Sequence, residues 1–97
     1  PERLVLGDGV KIRLLGVRER KATRQQAIQF LESKTHGQRV AMKYDDVKFD
    51  EDNNLLCYLY LQNRTFLNAH MIKQGLVDVD RSLDYRQKAR FLALARV

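Results

Sequence analysis

Basic side chains gather at the end of one apolar segment of the sequence, and their chemistry suits phosphate groups. The segment is VKIRLLGV, and the charged candidates in and after it are Arg13, Arg18, Glu19, Arg20 and Lys21. Guanidinium and ammonium groups form strong, charge-assisted hydrogen bonds with phosphate oxygens. The pattern predicts a phosphate-binding surface, and the alternative is a solvated charged connection between two elements.

The segment that carries Arg13 has the pattern of a central β-strand. Apolar residues alternate with Lys11 and Arg13 in its first half, and its second half is apolar on both faces. We expect residues 10–17 to form one strand, with Ile12 and Leu14 facing the interior. Arg13 should then lie on the outer face, toward water, a carboxylate or a phosphate, because an unpaired guanidinium is costly to bury. Gly16 marks a bend or a close backbone approach.

The remaining candidates for metal or redox chemistry are weaker. The segment DDVKFDEDNN, residues 45–54, has five carboxylates, but it lacks the spacing and the glycine of an EF-hand. We interpret it as a solvated acidic hairpin loop, with metal binding as the minor alternative. His36 has no second ligand at metal-binding spacing. Cys57 lies inside a strand pattern and is expected to be a small buried hydrophobe.

The composition of the chain limits the classes of binding partner to consider. The chain has 97 residues, a formal net charge of +6 and a pI near 9.8. This charge favours polyanionic partners, nucleic acid ahead of anionic membrane surfaces, although many basic domains bind no anion. The absence of any apolar run of about 20 residues argues against a membrane-spanning segment. The length predicts a single domain with a modest core, and the cellular compartment is left open.

The elements that must position these side chains follow in a recognisable order. A short strand over residues 3–6 and a turn at 7–9 precede the central strand. The sequence then predicts a helix over 22–34, a strand over 39–44, a strand over 55–61 and a short return at 65–66. A helix over 67–74, an extended piece over 76–79 and a helix from residue 83 or 84 to residue 96 complete the chain. This order predicts a small, mainly β, α+β domain.

Three motifs in this order resemble the staphylococcal nuclease family. They are RLLGV followed by a charged loop and A-x-x-F-L, then LLCYLYL, then FLNAHMIKQGLVDV. The resemblance implies a five-stranded OB-type barrel with two or three packed helices, and calcium-dependent hydrolysis of DNA and RNA phosphodiesters. On this interpretation residues 1–97 are one domain, a fragment that lacks the first strand of the family fold.

Matching the family motif residue by residue retains little of its active site. Arg13 corresponds to the first phosphate arginine. Arg18 stands where the family has a metal-binding aspartate, Lys21 where it has the catalytic glutamate, and Asn54 where it has the second arginine. Glu19 is a carboxylate two positions too early. Because two positive charges repel a metal ion, the resemblance implies a degenerate site with no metal and no cofactor.

The sequence therefore favours a module that binds single-stranded nucleic acid weakly over an enzyme. Its expected binding residues are Arg13, Arg18, Arg20, Lys21 and Tyr58. Tyr58 alternates with Tyr60 along one strand and is the candidate for stacking on a base. The alternatives are an active calcium-dependent nuclease with a rearranged site that uses Glu19, and a domain that binds another protein.

Overall fold

A computed structural model of the protein describes the backbone of residues 3–5 and, with side chains, residues 11–95. Six strands are present in this part of the chain: β1 (Arg3–Val5), β2 (Lys11–Leu14), β3 (Val17–Glu19), β4 (Val40–Lys43), β5 (Leu55–Leu61) and β6 (Val77–Val79). Three α-helices accompany them: α1 (Arg24–Thr35), α2 (Leu67–Lys73) and α3 (Lys88–Ala95). The predicted turn at residues 7–9 lies outside the described residues. The α+β class is confirmed.

The strands form two sheets. A four-stranded sheet has the order β1-β2-β5-β4, in which β2 pairs antiparallel with β1 and parallel with β5. A separate pair joins β3 to β6. Within the described residues these sheets do not close into a barrel, so a small α+β domain with two sheets is the architecture that is present.

The predicted central strand is divided at Gly16, and the prediction of one strand over 10–17 is wrong. Gly16 has a φ of +86°, a backbone conformation that L side chains rarely adopt. A Cβ at this position would lie 2.5 Å from the Phe91 ring and 2.8 Å from the Tyr85 ring. The chain bends here because only a glycine allows these rings to pack against the backbone, and β3 then pairs with β6 instead of continuing in the first sheet.

Asn68 ties the diverging strands together from the first turn of α2. Its side chain is fully buried; its Nδ2 donates to the Leu15 carbonyl at 2.8 Å and to the Cys57 carbonyl at 3.2 Å. Its Oδ1 accepts the N–H of Leu59 at 2.9 Å. Asn68 thus supplies partners to backbone groups at the point where β2 leaves β5, where the Leu15 N–H still donates to the Cys57 carbonyl at 2.9 Å.

The core lies between the first sheet and the helices. Ile12 and Leu14 are fully buried, as their alternation predicted. Cys57 is also buried, and burial raises the pKa of its thiol to about 11, so it is an inert core residue as expected. The central position in this core belongs to Phe91 of α3, which packs against Tyr58, Phe66 and Tyr85.

The last helix begins later than the sequence predicts, at Lys88 instead of residue 83 or 84. The Tyr85 hydroxyl donates to the Asp80 carbonyl at 2.6 Å, and the Arg86 N–H donates to a carboxylate oxygen of Asp45 at 2.7 Å. These contacts hold residues 83–87 in an irregular conformation. No described helix has both the length and the apolar character needed to cross a membrane.

Candidate functional site: a buried ion network at the end of the central strand

Arg13 is buried, and the expectation that it projects outward is wrong. Its exposure is 2 %. One guanidinium nitrogen donates to Asp50 Oδ2 at 3.3 Å and another donates to Asp80 Oδ2 at 3.1 Å. The carboxylate partner anticipated for a guanidinium in an apolar strand is therefore present twice. Of the three partners expected for this guanidinium, namely water, a carboxylate or a phosphate, the carboxylate is the one present.

Asp50 shows that the acidic segment 45–54 is not a solvated loop throughout. Its side chain is fully buried, and it accepts hydrogen bonds from the Asn54 N–H at 2.8 Å and from Asn54 Nδ2 at 3.0 Å. Burial by itself would raise the pKa of Asp50, but hydrogen bonds from Asn54 and Arg13 outweigh it and hold that pKa below its usual value. Asn54, which the resemblance places at the family's second arginine position, thus orients the carboxylate that neutralises Arg13.

Asp80 joins a second arginine to the network. It follows β6 directly and accepts hydrogen bonds from the Ser82 N–H at 2.9 Å and the Ser82 hydroxyl at 2.6 Å. Arg18 Nε lies 3.5 Å from Asp80 Oδ2, and the Arg18 side chain is 47 % exposed. Burial by itself would raise the pKa of Asp80. The Ser82 hydrogen bonds and the charges of Arg18 and Arg13 together outweigh burial, so the pKa of Asp80 lies below its usual value.

These four ionic side chains, Arg13, Arg18, Asp50 and Asp80, form what we call the ion network. Its formal charges cancel, so Arg13 is already matched before any anion arrives. The Nε of Arg13 is buried without a hydrogen-bond partner in the described structure. A phosphate could reach Arg13 only by displacing a carboxylate that is itself held by three or more hydrogen bonds.

The carboxylates of residues 11–95 do not fit the calcium ion that the resemblance implies. Calcium takes six to eight oxygen ligands, commonly from several carboxylates. Asp50 and Asp80 are paired with arginines, and Arg18 and Lys21 are the residues that the resemblance places at the family's metal-binding and catalytic acids. Within residues 11–95 no three His, Cys, Asp or Glu side chains are grouped so that they could hold a metal.

The other predicted site residues lie along β3 and the turn after it. Glu19 accepts from Arg24 Nε at 2.6 Å, so the carboxylate offered as a replacement base is paired with a cation. Arg20 donates to the Gly75 carbonyl at 2.9 Å, and its Nε lies 3.4 Å from Asp78. Lys21 is exposed at the start of a short 3-10 turn before α1. The structure thus brings Arg18 to Arg13 but gives Arg20 separate partners.

Tyr58 does not offer a ring face to a base in this arrangement, which corrects its assignment as a stacking residue. It is 6 % exposed, and its hydroxyl donates to Asp45 Oδ2 at 2.6 Å. Burial and the neighbouring Asp45 carboxylate both raise the pKa of this phenol. Its ring packs edge-on against Phe66, with centroids 5.6 Å apart. Tyr58 therefore belongs to the core.

Sequence reasoning missed the aspartates that do most at this site. Asp45, Asp50 and Asp80 are each buried or nearly so, and each accepts hydrogen bonds from distant segments. A signal for them did exist. A buried guanidinium in a strand needs a charged partner such as a carboxylate. Asp80 directly follows β6, and Asp50 directly follows Phe49, which forms an isolated β-bridge with Leu55.

The family comparison agrees with the motifs and the fold. A family model described as staphylococcal nuclease homologue matches residues 11–96. The chain belongs to this family. A search of curated proteins finds no match to the chain.

Proposed function

We propose that this domain is a catalytically degenerate member of the staphylococcal nuclease family that binds single-stranded nucleic acid weakly. The observation that carries the proposal is the ion network. It uses the phosphate arginine of the family, Arg13, as an internal ion-pair partner. Arg18 and Lys21 add positive charge where the family chemistry needs carboxylates. We also propose that the two sheets correspond to the OB-type barrel of the family.

Loss of these groups argues against phosphodiester hydrolysis. Removing one electrostatic stabiliser of a transition state typically lowers the rate about 10²–10³-fold, and here several are replaced together. The runner-up function, a calcium-dependent nuclease with a rearranged site, needs Glu19 as an acid or base. Glu19 is paired with Arg24, which makes it a poor candidate.

The expected binding surface is the rim formed by Arg18, Arg20 and Lys21. The two arginine side chains are 47 % and 42 % exposed, and both have aspartate neighbours. A phosphate must compete with those aspartates, so binding should be weak. It should also fall with salt, because phosphate contacts release counterions, with a log–log slope of about 0.7 per contact on single strands.

A nuclease assay with calcium, run beside a binding titration on single-stranded and double-stranded oligonucleotides, tests the proposal. We expect no cleavage above background, and single-strand binding whose salt slope decreases by about 2 when Arg18, Arg20 and Lys21 are all replaced by alanine. Calcium-dependent cleavage that Glu19→Gln abolishes would establish the nuclease instead. Absence of any binding at low salt would favour a protein partner.

A further inference from the structure

A second basic surface shares no residue with the ion network or with the rim of Arg18, Arg20 and Lys21. Four aromatic rings and four cations alternate across it, contributed by α1, β4, β5, the segment before α2, α2 and α3. Its members are Phe30, Lys34, Lys43, Tyr60, Phe66, His70, Lys73 and Arg90, and His70 is counted with the rings. We call this set the aromatic–cation face.

One end of the face is built on a stacked ring pair. Phe66 and Tyr60 have centroids 4.6 Å apart and planes inclined by 13°. The Arg90 guanidinium carbon lies 5.3 Å from the Phe66 centroid, and Lys43 Nζ lies 5.0 Å from the Tyr60 centroid. Aromatic rings beside exposed cations are the elements with which OB-type proteins hold single strands.

The other end repeats this arrangement on two helices. Phe30 of α1 stacks on His70 of α2, with centroids 5.4 Å apart and planes inclined by 19°. Lys34 Nζ, one helical turn beyond Phe30, lies 5.7 Å from the Phe30 centroid. His70 and Phe66 both line a shallow groove, so the two ring pairs border the same depression.

Within residues 11–95, no acidic side chain compensates the positive charge in the groove, unlike that of the ion network. The groove has a volume of about 230 Å³, and Lys73 and Arg90 line it together with His70 and no acidic residue. Among the described ion pairs, none involves Lys34, Lys43, Lys73 or Arg90. An anion can therefore bind these cations without displacing a carboxylate, and the electrostatic gain is larger than at the rim.

We infer that the aromatic–cation face is a second binding surface for single-stranded nucleic acid. Lys73 and Arg90 would hold a phosphate in the groove, and a base would lie on the Phe66–Tyr60 side where the exposed Arg90 and Lys43 side chains now cover the rings. The volume is well below that of a site for a drug-sized ligand and suits one nucleotide unit of a longer strand. The inference shares the ligand class of the proposed function but none of its residues.

Charge-neutral variants of the groove test the inference. The probe is a fluorescent oligothymidylate of about 12 nucleotides, within the site size of an OB fold, titrated with the full chain at several salt concentrations. We expect Lys73→Gln with Arg90→Gln to weaken binding about tenfold at low salt and to reduce the salt slope by about 1.4. Both side chains are exposed, so the fold should be retained.

A matched control separates local from overall charge. Arg39→Gln with Lys48→Gln removes the same charge from exposed positions outside the face. If this control weakens binding as much as the groove variant does, the effect is overall charge and the inference is overturned. Equal binding of polyglutamate and oligothymidylate by the wild type would likewise overturn the nucleic-acid assignment.

The rim variant Arg18→Ala, Arg20→Ala, Lys21→Ala distinguishes this inference from the proposed binding site. Loss of binding in the groove variant alone supports the aromatic–cation face and overturns the rim. Loss in the rim variant alone does the reverse. Loss in both supports both surfaces, and no binding by the wild type overturns both.

Phe66→Leu tests whether a base stacks on this face. It should weaken oligothymidylate binding more than binding of inorganic polyphosphate, and equal effects on the two ligands would overturn the stacking of a base on Phe66.

Discussion

The ion network and the aromatic–cation face use positive charge in opposite ways. In the first, Arg13 and Arg18 meet Asp50 and Asp80, and the buried groups neutralise one another. In the second, lysines and an arginine rest beside aromatic rings, with no carboxylate in their groove. The charges of the ion network cancel within it, whereas among the described residues the cations of the aromatic–cation face form no ion pair.

The difference shows that a basic residue in a family motif can have its charge neutralised by partners within the protein. Arg13, which the resemblance matches to the family's first phosphate arginine, is paired with two aspartates that are buried with it. A guanidinium between two buried carboxylates joins three distant chain segments, and removing one partner of such a group is costly. Positive charge without carboxylate partners, in contrast, has no such structural role to lose when it binds phosphate. The following predictions test this division.

Arg13→Met should have the largest effect. It leaves the buried Asp50 and Asp80 carboxylates without their shared cation, and breaking a buried pair in this way typically costs about 3–5 kcal/mol. Urea denaturation measures the free energy of unfolding. Arg24→Met, which breaks the exposed pair with Glu19, is the matched control and should cost less than about 1 kcal/mol. Equal losses in the two variants would show that the ion network is not a special part of the scaffold.

Asp50→Asn should destabilise the protein by an intermediate and pH-dependent amount. At neutral pH the amide removes a negative partner of Arg13, and a loss of about 1–3 kcal/mol is typical of a disrupted buried hydrogen bond. The folded-state pKa of Asp50 lies below the unfolded value of about 3.9, so its contribution is present above that value and is lost as pH falls through the folded pKa.

Unfolding curves of the two proteins between neutral pH and roughly pH 3 give the measurement. The difference between wild type and Asp50→Asn should be largest near neutrality and should shrink below about pH 4. Glu51→Gln changes an exposed acid in the same loop and should leave the curve close to that of the wild type. A difference that stays constant with pH would mean that the ionised form of Asp50 adds nothing.

Much of the secondary structure could be predicted from the sequence, because local patterns determine the individual strands and helices. The alternation around Ile12 and Leu14, the apolar run of β5 and the helical spacing of Ala27 and Leu31 all led to the observed elements. The division of the strand at Gly16 could be predicted only in part. A glycine signals a bend, but the rings of Tyr85 and Phe91 that require it come from distant sequence.

Less of the site could be predicted from the sequence, because its partners also come from distant parts of the chain. Arg13 lies 37 residues from Asp50 and 67 residues from Asp80 along the chain, and no local pattern links them. The five acids of residues 45–54 suggested a solvated loop, whereas the Asp50 side chain is buried and accepts a hydrogen bond from Arg13 of β2. The aromatic–cation face was not predicted either, because Phe30, Tyr60 and Phe66 belong to separate elements and no local pattern brings them together.

Replacing a cation of the aromatic–cation face should change stability least. Lys43→Met and Arg90→Met each remove an exposed charge beside a ring, and such contacts contribute about 0.5–1 kcal/mol at exposed sites, so each loss in urea denaturation should stay below about 1 kcal/mol. Methionine keeps an apolar chain against the ring, which isolates the charge. A loss above about 2 kcal/mol would place these cations in the scaffold with Arg13. A small loss means that their charge is not needed for folding, and a phosphate can then bind them without weakening the structure that presents them.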